Sequence, residues 1–204
     1  ELPTTPISFD ACNMPVTLQQ HIRKFTNIGE DDMKEILSFF EVRELKKKQN
    51  LLTEGAICKY NYFVVKGLLR LFFVNDKGVE QTTQFALENW WIGDYTSFHQ
   101  QRPSEYYIQA VEQTAVLAIS YEQQEALLQQ YPAMERYFRM VHQRAHAAAQ
   151  FRMKILYDLS REEMYRSFSS QFPEFVQRIP QYLLASYLGI TPEYLSEIRA
   201  KRKS

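Results

Sequence analysis

Residues 181–203 read QYLLASYLGITPEYLSEIRAKRK, and the fold of the C-terminal part is decided here. Gly189 marks the place where the chain leaves one helix with φ > 0, a conformation that suits a residue without Cβ. Four residues earlier, Ala185 is small enough to let a second helix cross the first. Leu184 and Leu188 lie on the inner face of the first helix, Ile190 plugs the turn, and Leu195 and Ile198 point back from the second. Thr191 is a good N-cap, and Pro192 stands at the first helical position, where its missing N–H costs nothing. Apolar spacing alone would fit any αα-hairpin. The combination of Ala, Gly, cap and Pro specifies a helix-turn-helix.

Such a motif places its second helix in the DNA major groove, N-terminus first. The outward positions are Thr191, Pro192, Glu193, Ser196, Glu197 and Ala200. Glu193 is suited to accept from a cytosine N4 amine, and Ser196 to contact base edges or phosphate. Glu197 is a weaker candidate for the same reading. Arg199, Lys201, Arg202 and Lys203 are expected on phosphates. The start of the first helix, Gln181 and Tyr182, offers free backbone N–H groups to an anion. The expected partner is double-stranded DNA.

Upstream, residues 134–159 form one uninterrupted helical pattern, some 39 Å long at about 1.5 Å per residue. Its apolar positions (Met134, Phe138, Val141, Ala145, Ala148, Ile155, Leu159) make one stripe, and Tyr137, Val141, Ala148, Phe151 and Ile155 make another. A helix with two apolar stripes needs two partners: the domain before it and, most economically, a symmetry mate. The alternative is a central helix buried within a monomer. Ser160-x-x-Glu163 is a capping box opening a helix that ends before Pro173, and residues 174–180 read as a short connection or small hairpin. Ser120-x-x-Gln123 caps another helix over 121–130.

From Glu41 to Ser120 the period is that of strands. Val42 and Leu45 open the pattern, runs 60–66 and 68–74 flank Gly67, and Asn75-Asp76-Lys77-Gly78 is a hairpin turn leading into 79–85. Ile108–Gln113 and Ala115–Ser120 are read as a last pair. Short strands at this spacing suggest a sandwich or barrel. Helices over 15–26 and 29–40 precede it. The expected class is α+β in four parts: a tail, 1–13; a β-sandwich or jelly-roll domain, 14–133; the long helix, 134–159; and the helix-turn-helix domain, 160–204. The tail, ELPTTPISFDACN, reads as an expression remnant or an upstream start and is left out of the fold.

Composition fits this layout. Lys+Arg and Asp+Glu number 24 each, yet four of the seven basic residues after Ser160 crowd into Arg199–Lys203. No apolar run reaches the roughly 20 residues of a membrane span, and no leader precedes the fold, so a cytoplasmic protein is expected. Cys12 and Cys58 form no metal or disulfide framework. His142-x-x-x-His146 lacks the Glu of a zinc-hydrolase helix, with Gln143 in its place, and is read as a polar or interface face. There is no Gly-rich phosphate loop, nucleophile elbow or supported Cys–His pair, so an enzyme is not expected.

Glu54-Gly55, YFVVKGLLRLFFVNDKG (62–78), Trp91-Ile92-Gly93-Asp94, IQAVEQTAVLAIS (108–120) and LASYLGITPEYLSEIR (184–199), in this order, resemble the Crp/Fnr family of bacterial transcription regulators. The resemblance implies a homodimer with a cyclic-nucleotide-binding-like sensor domain that controls two helix-turn-helix units on a palindromic site. It leaves RNA polymerase and a small-molecule effector as open partners. In members that bind cyclic AMP, a Gly-Glu pair and a downstream Arg hold ribose and phosphate. Here Gly93-Asp94 keeps a shorter acid, Ser104 falls where the Arg should be, Glu105 follows, and Tyr106 replaces a small residue. Arg102 is two positions off register, and Ala147 and Ala148 stand where hydroxyls meet the base. A phosphate without its Arg and beside a Glu loses a charge-assisted contact and gains a repulsion. Cyclic AMP is therefore not the expected effector, and no iron–sulfur or haem ligands are identified. The cluster Trp90, Trp91, Tyr95, Phe98, Tyr106 and Tyr107 reads as core, with an apolar ligand pocket as the alternative. Two other functional readings stay open: a cyclic-AMP-responsive regulator, and a ligand-binding or interaction module that has lost DNA binding, favoured by Glu197 and by the absence of a wing.

Overall fold

The computed structural model describes residues 14–201, with side chains for 15–200. Helices α1 (Met14–Arg23) and α2 (Glu30–Ser38) lead into strands β1 (Glu41–Leu45), β2 (Asn50–Leu52), β3 (Tyr60–Lys66), β4 (Leu69–Val74), β5 (Glu80–Ala86) and β6 (Trp91–Ile92). A short helix α3 (Tyr95–Gln100) precedes β7 (Tyr107–Ala110) and β8 (Thr114–Ser120). Then follow α4 (Tyr121–Gln130), the 26-residue α5 (Ala133–Asp158), α6 (Arg161–Gln171), α7 (Pro173–Arg178), α8 (Gln181–Leu188) and α9 (Pro192–Lys201).

The strands form two four-stranded antiparallel sheets, ordered β1-β8-β3-β6 and β2-β7-β4-β5. The β4–β5 hairpin forms at the expected turn, where the Asn75 carbonyl accepts from Gly78 and its side chain accepts from Lys77 and Val79. Runs 60–66 and 68–74 belong to different sheets, and Gly67, at φ 103°, carries the chain across. Likewise β7 bonds to β2 and β4 while β8 bonds to β1 and β3, so the last two runs are not a pair. The connection 173–178 is a helix rather than a hairpin, because Pro173 at its first turn pre-sets φ and sacrifices no bond. Both capping boxes form, at Ser120 and Ser160.

Three apolar layers result. Between the sheets lie Leu45, Tyr62, Val64, Leu69, Leu71, Ile92, Phe98, Ile108 and Val116. Outside the first sheet, Phe63, Trp91 and Leu117 pack with Leu18 and Ile22 of α1, Met33 and Ile36 of α2, Leu127 of α4 and Met134, Tyr137 and Phe138 of α5. Each such side chain stabilises by about 1.5–3 kcal/mol when fully buried. The third layer joins Leu68, Phe85 and Val111, from or beside β4, β5 and β7, to the C-terminal helices.

In the second layer Trp91 Nε1 donates to the Tyr137 hydroxyl (2.9 Å), which lies 2.8 Å from His21 Nδ1. The indole can only donate, so the tyrosine oxygen accepts there, and its own proton goes to His21 in the tautomer whose Nδ1 is bare. Burial first, then Lys24 and Arg144, lower its pKa to about 4. A folded value below the unfolded 6.5 means that the unfolded chain takes up the proton first. The stabilisation is complete above pH 6.5 and is lost as pH falls towards 4. Allowing for partial exposure, urea unfolding should show a loss of about 1–2 kcal/mol over this window that His21→Gln lacks. Parallel curves for the two proteins would overturn this.

Candidate nucleic-acid interface and sensor pocket

The C-terminal motif forms as its residues require. Gly189 takes φ 67°, ψ 37°, its N–H donates to the Ser186 carbonyl (3.2 Å), and Ile190 N–H donates to the Ala185 carbonyl (3.0 Å). These are the two bonds of a Schellman stop, which needs the left-handed residue that glycine supplies. Thr191 Oγ1 accepts from Tyr194 N–H (3.2 Å) and so caps α9. Leu184, Ala185 and Leu195 are fully buried and Leu188 and Ile198 nearly so, which fixes α9 across α8.

Of the expected DNA-contacting residues, Gln181, Tyr182, Thr191, Pro192, Glu193, Ser196 and Glu197 are exposed, and Arg199 is half-buried. No side chain caps the start of α8, where Gln181 and Tyr182 lie. Gln181, Pro192, Ser196, Arg199 and Ala200 line one open depression of about 400 Å³. The fold thus brings the start of α8 beside the outward face of α9. The Lys201 side chain, Arg202 and Lys203 lie outside the described residues, as does the tail 1–13. Tyr194, 40% exposed on α9, is a further outward residue. Its place between outward Glu193 and inward Leu195 carries no clear helical-face signal.

The sensor residues are placed differently from expectation. Asp94 is the N-cap of α3: Oδ1 accepts from Thr96 and Ser97 N–H (both 3.1 Å), while Oδ2 accepts from the Ser104 hydroxyl (2.7 Å). Ser104 also accepts from Tyr106 N–H (3.0 Å). Both Asp94 and Ser104 are buried. Gly93 lies against Asn61, whose Oδ1 is 2.4 Å from where a Cβ would be built. Gly93, Asp94, Ser104 and Tyr106 therefore come together, but Arg102 is exposed and only its carbonyl joins in, accepting from Ser97 Oγ (2.6 Å). Ala147 and Ala148 are exposed on α5 and are not part of this group. The aromatic residues do not form one cluster: Trp90 is 50% exposed, Trp91 is in the layer under the helices, Phe98 lies between the sheets, and Tyr107 stacks on Phe72.

On α5, Met134 and Phe138 are buried inside their own chain's core, Val141 packs against it, and Ile155 packs against the C-terminal helices. Met134 and Phe138 are thus spent inside their own chain, a correction to the dimer stripe, while Val141 and Ile155 are half-buried. Ala145 and Ala148 of the stripe are exposed, and so are the large apolar residues Phe151, Met153, Leu156 and Tyr157. His142 meets the Tyr95 ring edge-on (4.9 Å) while His146 is exposed. No helix among the described residues is long and apolar enough to cross a membrane.

Residues 42–131 match the family model of the cyclic nucleotide-binding domain. Among solved structures the chain is similar to the catabolite activator protein of Thermus thermophilus, with 21% identity, a TM-score of 0.54, and 86% of this chain and 84% of that one covered. It is also similar to the c-di-GMP responsive global regulator CLP of Xanthomonas campestris (18% identity, TM-score 0.69, 86% and 92% covered). A third is FixK2 from Bradyrhizobium japonicum (16%, 0.69, 79% and 83%). No curated protein matches the sequence significantly. Residues 42–131 are thus similar to the cyclic nucleotide-binding domain, and the chain shares its fold with the three solved structures.

Proposed function

We propose that this chain is one half of a homodimeric, DNA-reading transcription regulator whose sandwich does not take cyclic AMP. The observation that carries the reading is the fully packed helix-turn-helix with the outward face of α9 and the uncapped start of α8 side by side in solvent. Glu193 and Ser196 read base edges, Arg199 and the first amides of α8 hold phosphate, and the two carboxylates of α9 restrict which bases are accepted. Dimerisation is supported by Met153 at 60%, Leu156 at 38% and Tyr157 at 87% exposure, since they stand at i, i+3 and i+4 on one face of α5 and large apolar neighbours mark a contact surface. Two of the similar structures are by name a catabolite activator and a global regulator, which supports the same reading.

Against cyclic AMP stand the Asp94 carboxylate, already holding three hydrogens, and Ser104, already bonded to it. A ribose hydroxyl would have to displace these bonds, and no arginine is aimed at the place of the phosphate among the residues that gather here. Selection from a random DNA pool should return a two-fold palindrome with half-sites about one helical turn apart. A millimolar dose of cyclic AMP should move the Tm by less than about 1 °C. No palindrome at low salt would sink the DNA-reading assignment. A saturable shift of several degrees would sink the exclusion of cyclic AMP.

A further inference from the structure

Three contacts fasten the helix-turn-helix to one edge of the sandwich. Strand β5 is an edge strand, so one row of its backbone groups has no strand partner. Ser186 of α8 answers that row: Thr82 N–H donates to its hydroxyl (2.9 Å), which in turn donates to the Glu80 carbonyl (2.7 Å). Arg152 of α5 reaches the same strand, donating to the carbonyls of Thr82 and Thr83, and also to the Tyr187 carbonyl in the last turn of α8 (3.0 Å). Its guanidinium stacks on the Tyr187 ring at 3.7 Å and is held by carbonyls and the negative end of α8. Arg178, closing α7, grips Glu88 with two bonds (2.7 and 2.9 Å) and Glu112 with its Nε (3.0 Å), while Glu88 also accepts from Gly67 N–H (2.8 Å). Between these polar ties run Phe85, Phe175 and Tyr187 in edge and tilted ring contacts, at 5.4 and 5.2 Å from Phe85.

We infer that these contacts are a latch that holds the DNA-reading unit in its reading orientation on edge strand β5, with Arg152 tying the long helix into the same joint. This rests on the DNA-reading assignment above. The latch grips the back of α8, through Ser186 and Tyr187, and leaves Gln181, Tyr182 and the outward face of α9 exposed. A contact meant to block DNA would cover that face. A latched unit presents its recognition helix at one fixed angle, so the two halves of a dimer engage a palindrome together. A released unit must find its half-site by diffusion on a tether, which lowers the effective concentration of the second binding step. Any signal carried by the sandwich then reaches the DNA face through the position of β5.

The test uses the full chain in three forms: wild type, Glu88→Gln with Glu112→Gln, and Ser186→Ala. The glutamines keep the volume but surrender the charge-assisted bonds to Arg178. Hydrogen exchange should show the Thr82 and Gly67 amides at least about tenfold less protected in both variants, with β3 and β8 unchanged as the control for folding. Fluorescence anisotropy on the selected palindrome should show about a tenfold loss or more, with affinity for an isolated half-site unaltered. Unchanged protection at Thr82 and Gly67 would overturn the latch. Reduced protection with equal or tighter palindrome binding would overturn its orienting role. If wild type selects no palindrome, the DNA-reading assignment fails and the orienting role with it, while exchange at Thr82 still decides the latch.

Discussion

Gly67→Ala is expected to lower the stability of the chain by about 4 kcal/mol, the sum of backbone strain and overpacking at one point. Gly67 has φ 103°, outside the range that residues with a Cβ adopt readily. A Cβ built there would stand 2.5 Å from Thr114 Oγ1, 2.7 Å from Thr114 Cα and 2.8 Å from the Gln113 carbonyl. Two of those three atoms are backbone and cannot swing aside. Nor is the third free to move, since Thr114 Oγ1 accepts from Leu68 N–H (3.2 Å) and lies 2.9 Å from the Glu112 carbonyl. Relief would therefore have to come from shifting the start of β8 against the crossing from β3 to β4. Gly78→Ala is the comparison: it has φ 74° but nothing within 4 Å of the added carbon, so only strain of about 1 kcal/mol is expected. Urea unfolding of both variants measures the difference. Equal losses for the two would show that the crossing relaxes and that the close approach costs nothing.

That same glycine shows where sequence reading stops. A glycine between two apolar runs is the signal of a hairpin and equally of a chain switching sheets, since both need φ > 0 and both leave apolar residues on either side. Asn75–Gly78 was decisive because Asn75 supplies its own side-chain bonds to the turn; Gly67 has no such local partner, and its neighbours Glu88, Gln113 and Thr114 all lie far along the chain, the first of them 21 positions away. Helices were legible where a local device marks their ends: Ser120 and Ser160 by capping boxes, Gly189 and Thr191 by stop and cap. Helix α3 was not read, although Asp94 is a good N-cap, because the same acid was assigned to a ligand. Its bond to Ser104 spans ten residues and depends on how β7 folds back. Met134 and Phe138 were legible as apolar but not as inward, because a helix with two stripes does not say which one its own chain covers. Arg152, Arg178 and Ser186 carry no local signal, because their partners lie far along the chain: Ser186 bonds β5, Arg152 bonds β5 and α8, and Arg178 bonds Glu88 and Glu112.

Ala185→Leu is expected to cost about 2–3 kcal/mol within the helix-turn-helix and to weaken binding to every DNA sequence at least about 30-fold. Ala185 is fully buried where α9 crosses α8, and its carbonyl receives Ile190 N–H. Three added carbon atoms must be fitted between α8 and the Leu195–Ile198 side of α9. Helix α8 cannot yield by backing away, because Ser186, the next residue, is bonded to β5 and Tyr187 is held by Arg152. The displacement therefore falls on α9, which is joined to the rest chiefly through Leu195, Ile198 and the turn. A shift of the recognition helix moves Glu193, Ser196 and Arg199 together, so the loss should be uniform across sequences rather than confined to one base pair. The sandwich should stay intact, which the near-ultraviolet signal of buried Trp91 reports. Anisotropy titrations on the selected palindrome and on scrambled DNA make the comparison. Undiminished affinity on both would mean that the tight crossing at Ala185 is not what seats the recognition helix. A loss confined to one sequence would mean that the substitution altered base reading and left the seat of α9 in place.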